Sequence, residues 1–179
     1  MDRHEQLWAP WRLAYVSGDI GEPLAPPEPR SLKLLPGADP NCFICQAVGD
    51  TDDRQTLVIE RTDESVVILN RYPYNNGHLL VAPLVHKGRF DELTDLERLD
   101  MSQQIEKYVG LIERLMHAEG FNVGLNLGRV AGAGLPGHLH WHIVPRWPGD
   151  TNFMTTSAGM RVIPQALDAL WEMLHDAST

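Results

Sequence analysis

The apolar positions of this chain change period several times from one end to the other. Residues 1 to 20 carry an aromatic run, "LWAPWRLAYV", too apolar to float freely; it is expected to pack as an arm on this domain or on a partner subunit. "PLAPPEPRSLKLLPGADP" is proline-rich and reads as an irregular linker. From about residue 56 short β-branched runs begin. "TLVIE" and "SVVILN", separated by the polar "RTDE", predict a hairpin. "NRYPYNNG" is turn chemistry, and "HLLVAP" reads as a strand ended by Pro83. The period then becomes helical. Leu96, Leu99, Ile105, Val109, Ile112 and Met116 recur at helix spacing. Thr94 is the expected N-cap, Glu97 completes a capping box, and Gly120 is expected to stop the run. "FNVGLNLG" and "HLHWHIVP" are two more strands flanking a glycine-rich loop, "RVAGAGLPG". Pro164, expected at a helix N1 position, precedes "QALDALWEMLHDA", which places Leu167, Leu170, Trp171 and Leu174 on one face. The expected architecture is α+β: an antiparallel β-sheet with a long helix packed on it, an N-terminal arm and a C-terminal helix. The expected division is an arm and linker over 1–40, a main folded domain over 41–150 and an extension with a helix over 151–179. No internal repeat is visible.

Composition narrows the function. The 179 residues fit one domain with ornament, and 43% hydrophobic content supplies a core. A net charge of −9 argues against wrapping nucleic acid or docking on an anionic membrane, but not against a small anionic ligand held by local donors. No stretch approaches the roughly 20 continuous apolar residues of a membrane span. The start, "MDRHEQLWAP", lacks the apolar core of a signal peptide. The only cysteines, Cys42 and Cys45, do not make a disulfide framework, and the expected compartment is the cytoplasm.

Three of the eight histidines fall within five residues, in "HLHWHIV". On a strand, His138, His140 and His142 would share one face, with steps of about 7 Å, while Leu139, Trp141 and Ile143 point into the core. Three readings compete. The histidines could decorate a solvated face, although neighbouring imidazolium charges would repel. They could chelate a metal with help from elsewhere. Or a neutral imidazole could attack phosphorus and form a covalent intermediate. Gly128, Gly132, Gly134 and Gly137 lie just ahead, where backbone N–H groups can approach an anion closely.

The pattern His-x-His-x-His-x-x, with x apolar, resembles the histidine triad (HIT) superfamily of nucleotide hydrolases and transferases. "ILNRYPYNNGHLLVAP" looks like its strand–turn–strand that holds the nucleoside, and "FNVGLNLG" like the strand before its phosphate loop. The similarity covers about residues 40 to 150. Together with the arm, these motifs are most similar to the bacterial diadenosine tetraphosphate phosphorylases of that superfamily. The resemblance implies a HIT-like fold and roles for named residues. His140 matches the nucleophile. His142 matches the histidine that contacts the phosphate oxygens and helps the leaving group. Asn70 falls at the ribose contact, His78 at a histidine supporting the triad, and Asn126 at a phosphate-binding position. Gly132 and Gly134 belong to the phosphate loop. Gly134 stands where the family usually carries Ser or Thr, so only backbone N–H groups serve there.

"CFIC" taken alone reads equally as two buried apolar residues or as half of a metal site. The resemblance implies that His86 and His138 complete it, giving structural zinc on Cys42, Cys45, His86 and His138. His140 would then remain available to attack; a catalytic zinc on all three histidines is the rival. Arg146 and Arg129 read equally as polyphosphate contacts or as surface residues. His4, His117 and His175 read as surface residues. The implied substrate is a dinucleoside polyphosphate, with water or phosphate as acceptor. The alternatives are a hydrolase of nucleoside phosphoramidates or other conjugates, and a non-catalytic zinc-stabilised nucleotide-binding module. A homodimer is expected by the same resemblance.

Overall fold

The computed structural model describes residues 32–150 and 163–178. The arm expected over residues 7–16 lies outside them. Five strands form one antiparallel sheet: β1 (Val58–Arg61), β2 (Ser65–Leu69), β3 (Leu79–Pro83), β4 (Gly120–Leu125) and β5 (Trp141–Arg146), in the order β1-β2-β3-β5-β4. Two short helices precede it, α1 (Phe43–Gly49) and α2 (Asp53–Thr56). The long helix α3 (Asp95–Met116) packs against β2, β3 and β5, and α4 (Leu167–Ser178) packs against β1 and α3. The fold is the α+β arrangement that the hydrophobic periods imply.

The chain departs from the expected boundaries in four places. Thr56 belongs to α2, because the Asp52 side chain accepts from Gln55 N–H and caps a turn that hydrophobic periodicity does not register. The triad strand enters the ladder only at Trp141, so His138 and His140 precede it. Helix α3 stops at Met116, with His117 rather than Gly120 taking the left-handed cap at φ 52°. Pro164 lies ahead of α4, which begins at Leu167.

The capping box of α3 forms as expected, with Thr94 Oγ1 accepting from Glu97 N–H and Glu97 Oε2 from Thr94 N–H. A cap of this kind stabilises a helix by ~1 kcal/mol. Lys87 Nζ lies 2.6 and 2.7 Å from the two Glu97 oxygens, so the buried carboxylate is paired. Burial pushes the Glu97 pKa up, but the Lys87 ammonium and the Thr94 donors outweigh it and leave it below the usual range. The core face of α3 is carried by Met101, Tyr108, Leu111 and Ile112, with Ile105, Val109 and Met116 at its margin. Leu96 and Leu99 keep the spacing but not the burial; they are 65% and 57% exposed. The reason is Glu97: pairing with Lys87 turns it inward and rotates its neighbours out. The predicted face of α4 is the observed one, with Leu170, Trp171 and Leu174 buried and Leu167 packed beside them.

Residues directly opposite in an antiparallel ladder share a face. Ile68, Leu80, His142 and Gly124 are such a row across β2, β3, β5 and β4. The next row, Val67, Val81, Trp141 and Leu125, faces the other way. Trp141 packs against the core, as its position on the alternate face implies.

Candidate active site

A cavity of about 310 Å³ opens on the first of these rows. Ile68, Leu80 and His142 form part of its floor, and His140, Asn126, Gly132 and Gly134 line it with Asn70. Six of the candidate residues therefore meet in one cleft of the size used for small ligands. The remaining lining includes Phe43, Leu57, Leu69, Arg71, Tyr72 and Tyr74, which sequence reasoning missed. Phe43 was hidden because it sits inside the cysteine motif. Leu57 was hidden because a left-handed residue (φ 63°) in no turn signature gives no warning.

The backbone polarity around the triad fixes which nitrogens are basic. A carbonyl can only accept. His140 Nδ1 lies 2.9 Å from the His138 carbonyl, so Nδ1 carries the proton and Nε2 the lone pair. Burial lowers the His140 pKa against the opposing pull of that carbonyl, so the ring is held neutral. His138 is used differently. It is fully buried, its Nε2–H donates to the Pro83 carbonyl at 2.9 Å, and its Nδ1 lone pair faces Cys42 Sγ at 3.3 Å and Cys45 Sγ at 3.5 Å. Burial pushes its pKa down to about 4. The expectation that all three histidines lie within a paired strand is thus corrected: the Leu139 N–H bonds the Lys87 carbonyl outside the sheet, pairing begins only at Trp141, and His138 is not among the residues that line the cavity.

His86 Nδ1 lies 3.2 Å from Cys45 Sγ, and the four donor atoms of Cys42, Cys45, His86 and His138 lie within 4.8 Å of one another. A tetrahedral ion with bonds of about 2.3 Å to sulfur and 2.0 Å to nitrogen has sulfur–nitrogen edges of about 3.5 Å. The cluster fits. Burial pushes the Cys42 thiol up to about 12, so a cation is what would make it a thiolate at neutral pH. Gly137 belongs to the same construction: a Cβ there would meet His86 Nε2 at 3.2 Å.

Behind His142, the fully buried His78 places Nε2 2.9 Å from His142 Nδ1. Tyr74 N–H reaches His78 Nδ1 at 3.0 Å and stacks its ring at a 4.7 Å centroid distance. Asn70 Nδ2 lies 3.1 Å from the same Nδ1, and its Oδ1 accepts from Tyr72 N–H at 3.0 Å. Gly77 makes the preceding turn possible at φ 73°, where a Cβ would meet Met116 Sδ at 3.1 Å. Arg146 does not reach the cavity; it is an ion-pair residue, bonded to Asp150 and Asn122. Arg129 is exposed and pairs with no carboxylate among the described residues. His117 is exposed, whereas His175 stacks on Trp171 at 4.5 Å.

The HIT domain model matches residues 51–149, more than half of the chain. The chain belongs to the HIT family. An "AP-4-A phosphorylase" of Mycobacterium tuberculosis is 39% identical over 171 residues, which are 93% of this chain and 80% of that one. A solved histidine triad nucleotide-binding protein of Sulfolobus tokodaii superposes with a TM-score of 0.61 at 24% identity, over 76% of this chain and 91% of that one. A Zn-bound histidine triad family protein of Mycobacterium smegmatis gives 0.56 at 25% identity, over 68% of this chain and 82% of that one. No helix among the described residues of this HIT protein is long and apolar enough to cross a membrane.

Proposed function

We propose that the protein cleaves dinucleoside polyphosphates by nucleotidyl transfer through His140. The observation that carries this reading is the polarity of that ring: Nδ1–H is held by the His138 carbonyl, so the lone pair of Nε2 is the one available in a cleft of small-ligand size. In the first step Nε2 attacks the α-phosphorus in line and the bond to the bridging oxygen breaks. The electron pair leaves with that oxygen, and His142 supplies the proton. Asn126 and the backbone amides around Gly132 and Gly134 bear the charge that grows on the phosphoryl oxygens. The product is a nucleotidyl-histidine. In the second step an oxygen of inorganic phosphate attacks, the phosphorus–nitrogen bond breaks, and a nucleoside diphosphate leaves. Phosphate is favoured over water as acceptor by the 39% identity to the mycobacterial phosphorylase.

We assign zinc to Cys42, Cys45, His86 and His138; the donor set and the Zn-bound relative support it. When bound it supplies a fixed geometry for His138 and no reacting water. The working unit is placed in the cytoplasm, as a homodimer, with residues 41–150 as its catalytic part. Strand β4 pairs only with β5 among the described residues, and its Val123 is 41% exposed, which leaves an edge for a second copy.

The test is product analysis of diadenosine tetraphosphate turnover with isotopically labelled phosphate. ADP carrying label, plus ATP, is the expected result. AMP plus ATP, without need of phosphate, would make the protein a hydrolase on the same histidine. Substantial turnover by His140→Ala would remove the nucleophile assignment altogether.

A further inference from the structure

Asn70 is the residue whose structural partners do not match a ribose contact alone. A backbone N–H can only donate, so the Tyr72 N–H at 3.0 Å identifies the near atom of the Asn70 amide as oxygen. The other end is therefore the NH₂ group, and it faces His78 Nδ1 at 3.1 Å. The Tyr74 N–H faces the same nitrogen at 3.0 Å. Two groups that can only donate thus converge on one ring nitrogen, which must be the acceptor. The His78 proton is then on Nε2, and it points at His142 Nδ1 across 2.9 Å. That nitrogen becomes an acceptor in its turn, so the His142 proton sits on Nε2. His142 lines the cavity.

We infer that Asn70, with the Tyr74 amide, is a positioning residue for the leaving-group acid: it sets the proton polarity of His78 and through it presents His142 as a donor. This rests on the nucleotidyl-transfer reading above and assigns that reading's acid step to a residue that never touches the leaving group. The polarity matters because the opposite tautomer of His142 would offer a lone pair to the departing atom. An amine leaving group must gain a proton as the phosphorus–nitrogen bond breaks; His142 Nε2–H passes it on and the ring takes one back from solvent water, whereas the opposite tautomer presents no proton to pass. A nitrophenolate is stable as an anion and needs no such proton.

Two measurements test the relay. The first is ¹⁵N NMR of the histidine rings in the full chain, at a pH that keeps them neutral. His78 and His142 are expected to be protonated on Nε2; a proton on Nδ1 of His78 in the native protein overturns the proposal whatever the enzyme does. The second compares an adenosine 5′-phosphoramidate of an alkylamine with the p-nitrophenyl ester of AMP. Asn70→Asp replaces the donor by an acceptor. It is expected to move the His78 proton to Nδ1 and to lower the ratio of kcat on the phosphoramidate to kcat on the ester by ~10²-fold or more. His78→Gln keeps an acceptor at one end and a donor at the other, and is expected to preserve the ratio of the two rates. An equal loss on both substrates with a raised KM would mean that Asn70 acts on the ribose only and would overturn the relay. If the native enzyme turned over none of these substrates, the function proposed above would fail while the NMR result still decided the tautomers.

Discussion

His138 and His142 flank the proposed nucleophile, His140, at the same distance along the chain and are held in different surroundings. His138 is sealed off, its two nitrogens committed to the Pro83 carbonyl and to the cysteine pair. It reaches His140 only through its backbone carbonyl. His142 lines the cavity and is tied from behind to His78, whose polarity comes from an amide and a backbone N–H. On the reading proposed above, one side would hold the metal site and the other would donate a proton. Alternation along a strand would have made the two equivalent. What separates them is where each lies: His138 precedes the ladder, beside a Leu139 N–H that bonds the Lys87 carbonyl, whereas His142 is a ladder residue opposite Leu80 and Gly124. Two histidines with the same spacing can thus acquire different chemistry from where the backbone begins to pair.

The comparison can be broken at its centre first. His140→Ala is expected to reduce turnover by on the order of 10⁴-fold or more while leaving thermal stability and metal content unchanged, read by product formation, a melting scan and elemental analysis. Breaking only the holding side comes next. Cys42→Ala is expected to abolish stoichiometric metal and to destabilise the fold by several kcal/mol, measured by chemical denaturation with and without added zinc. Breaking only the donating side should do the reverse. His142→Ala is expected to lower kcat by ~10²- to 10³-fold with metal content intact. Loss of metal in that variant would show that the two sides are not separable.

A smaller effect sharpens the holding side. Glu97 pairs with Lys87, which follows His86 of the candidate metal cluster. Its carboxyl lies below its usual value, so the stabilisation is fully present above the unfolded pKa and is lost as pH falls through the folded one. Native protein is therefore expected to lose stability below about pH 4.5 by an increment that Glu97→Gln does not show, read from denaturation midpoints across that window. The smallest effect lies outside both sides. Arg146→Ala is expected to leave kcat and KM within about twofold, because its guanidinium is spent on Asp150 at the surface. A large rise in KM would return Arg146 to the polyphosphate.

Much of this was legible in the sequence, and the failures share a cause. The triad, the Cys42/Cys45 pair and the Thr94–Glu97 box are local patterns whose chemistry depends on spacing, and the structure brings each together. His86 was not legible from spacing; only the resemblance supplied it, because nothing local marks a single histidine after a strand. The misread positions are those where a tertiary contact overrides a period. Leu96 and Leu99 are exposed because Glu97 is drawn to Lys87, and His138 leaves the strand pattern because Leu139 bonds outside the sheet. The motif singled out Asn70, and the structure puts it in the lining of the cavity. The direction of its amide, which decides what it does there, depends on the Tyr72 N–H, and a sequence does not record orientation.

The indole of Trp171 donates to the Val58 carbonyl at 2.8 Å, and α4 lies along β1. This plugs one margin of the sheet, while the β4 margin pairs with nothing further among the described residues. A ribbon that can grow from one side only must stop growing once two copies have met. In the homodimer proposed above, the C-terminal helix would act as a terminator: it would permit a pair and forbid a filament, from the side of the molecule farthest in strand order from where the copies would join.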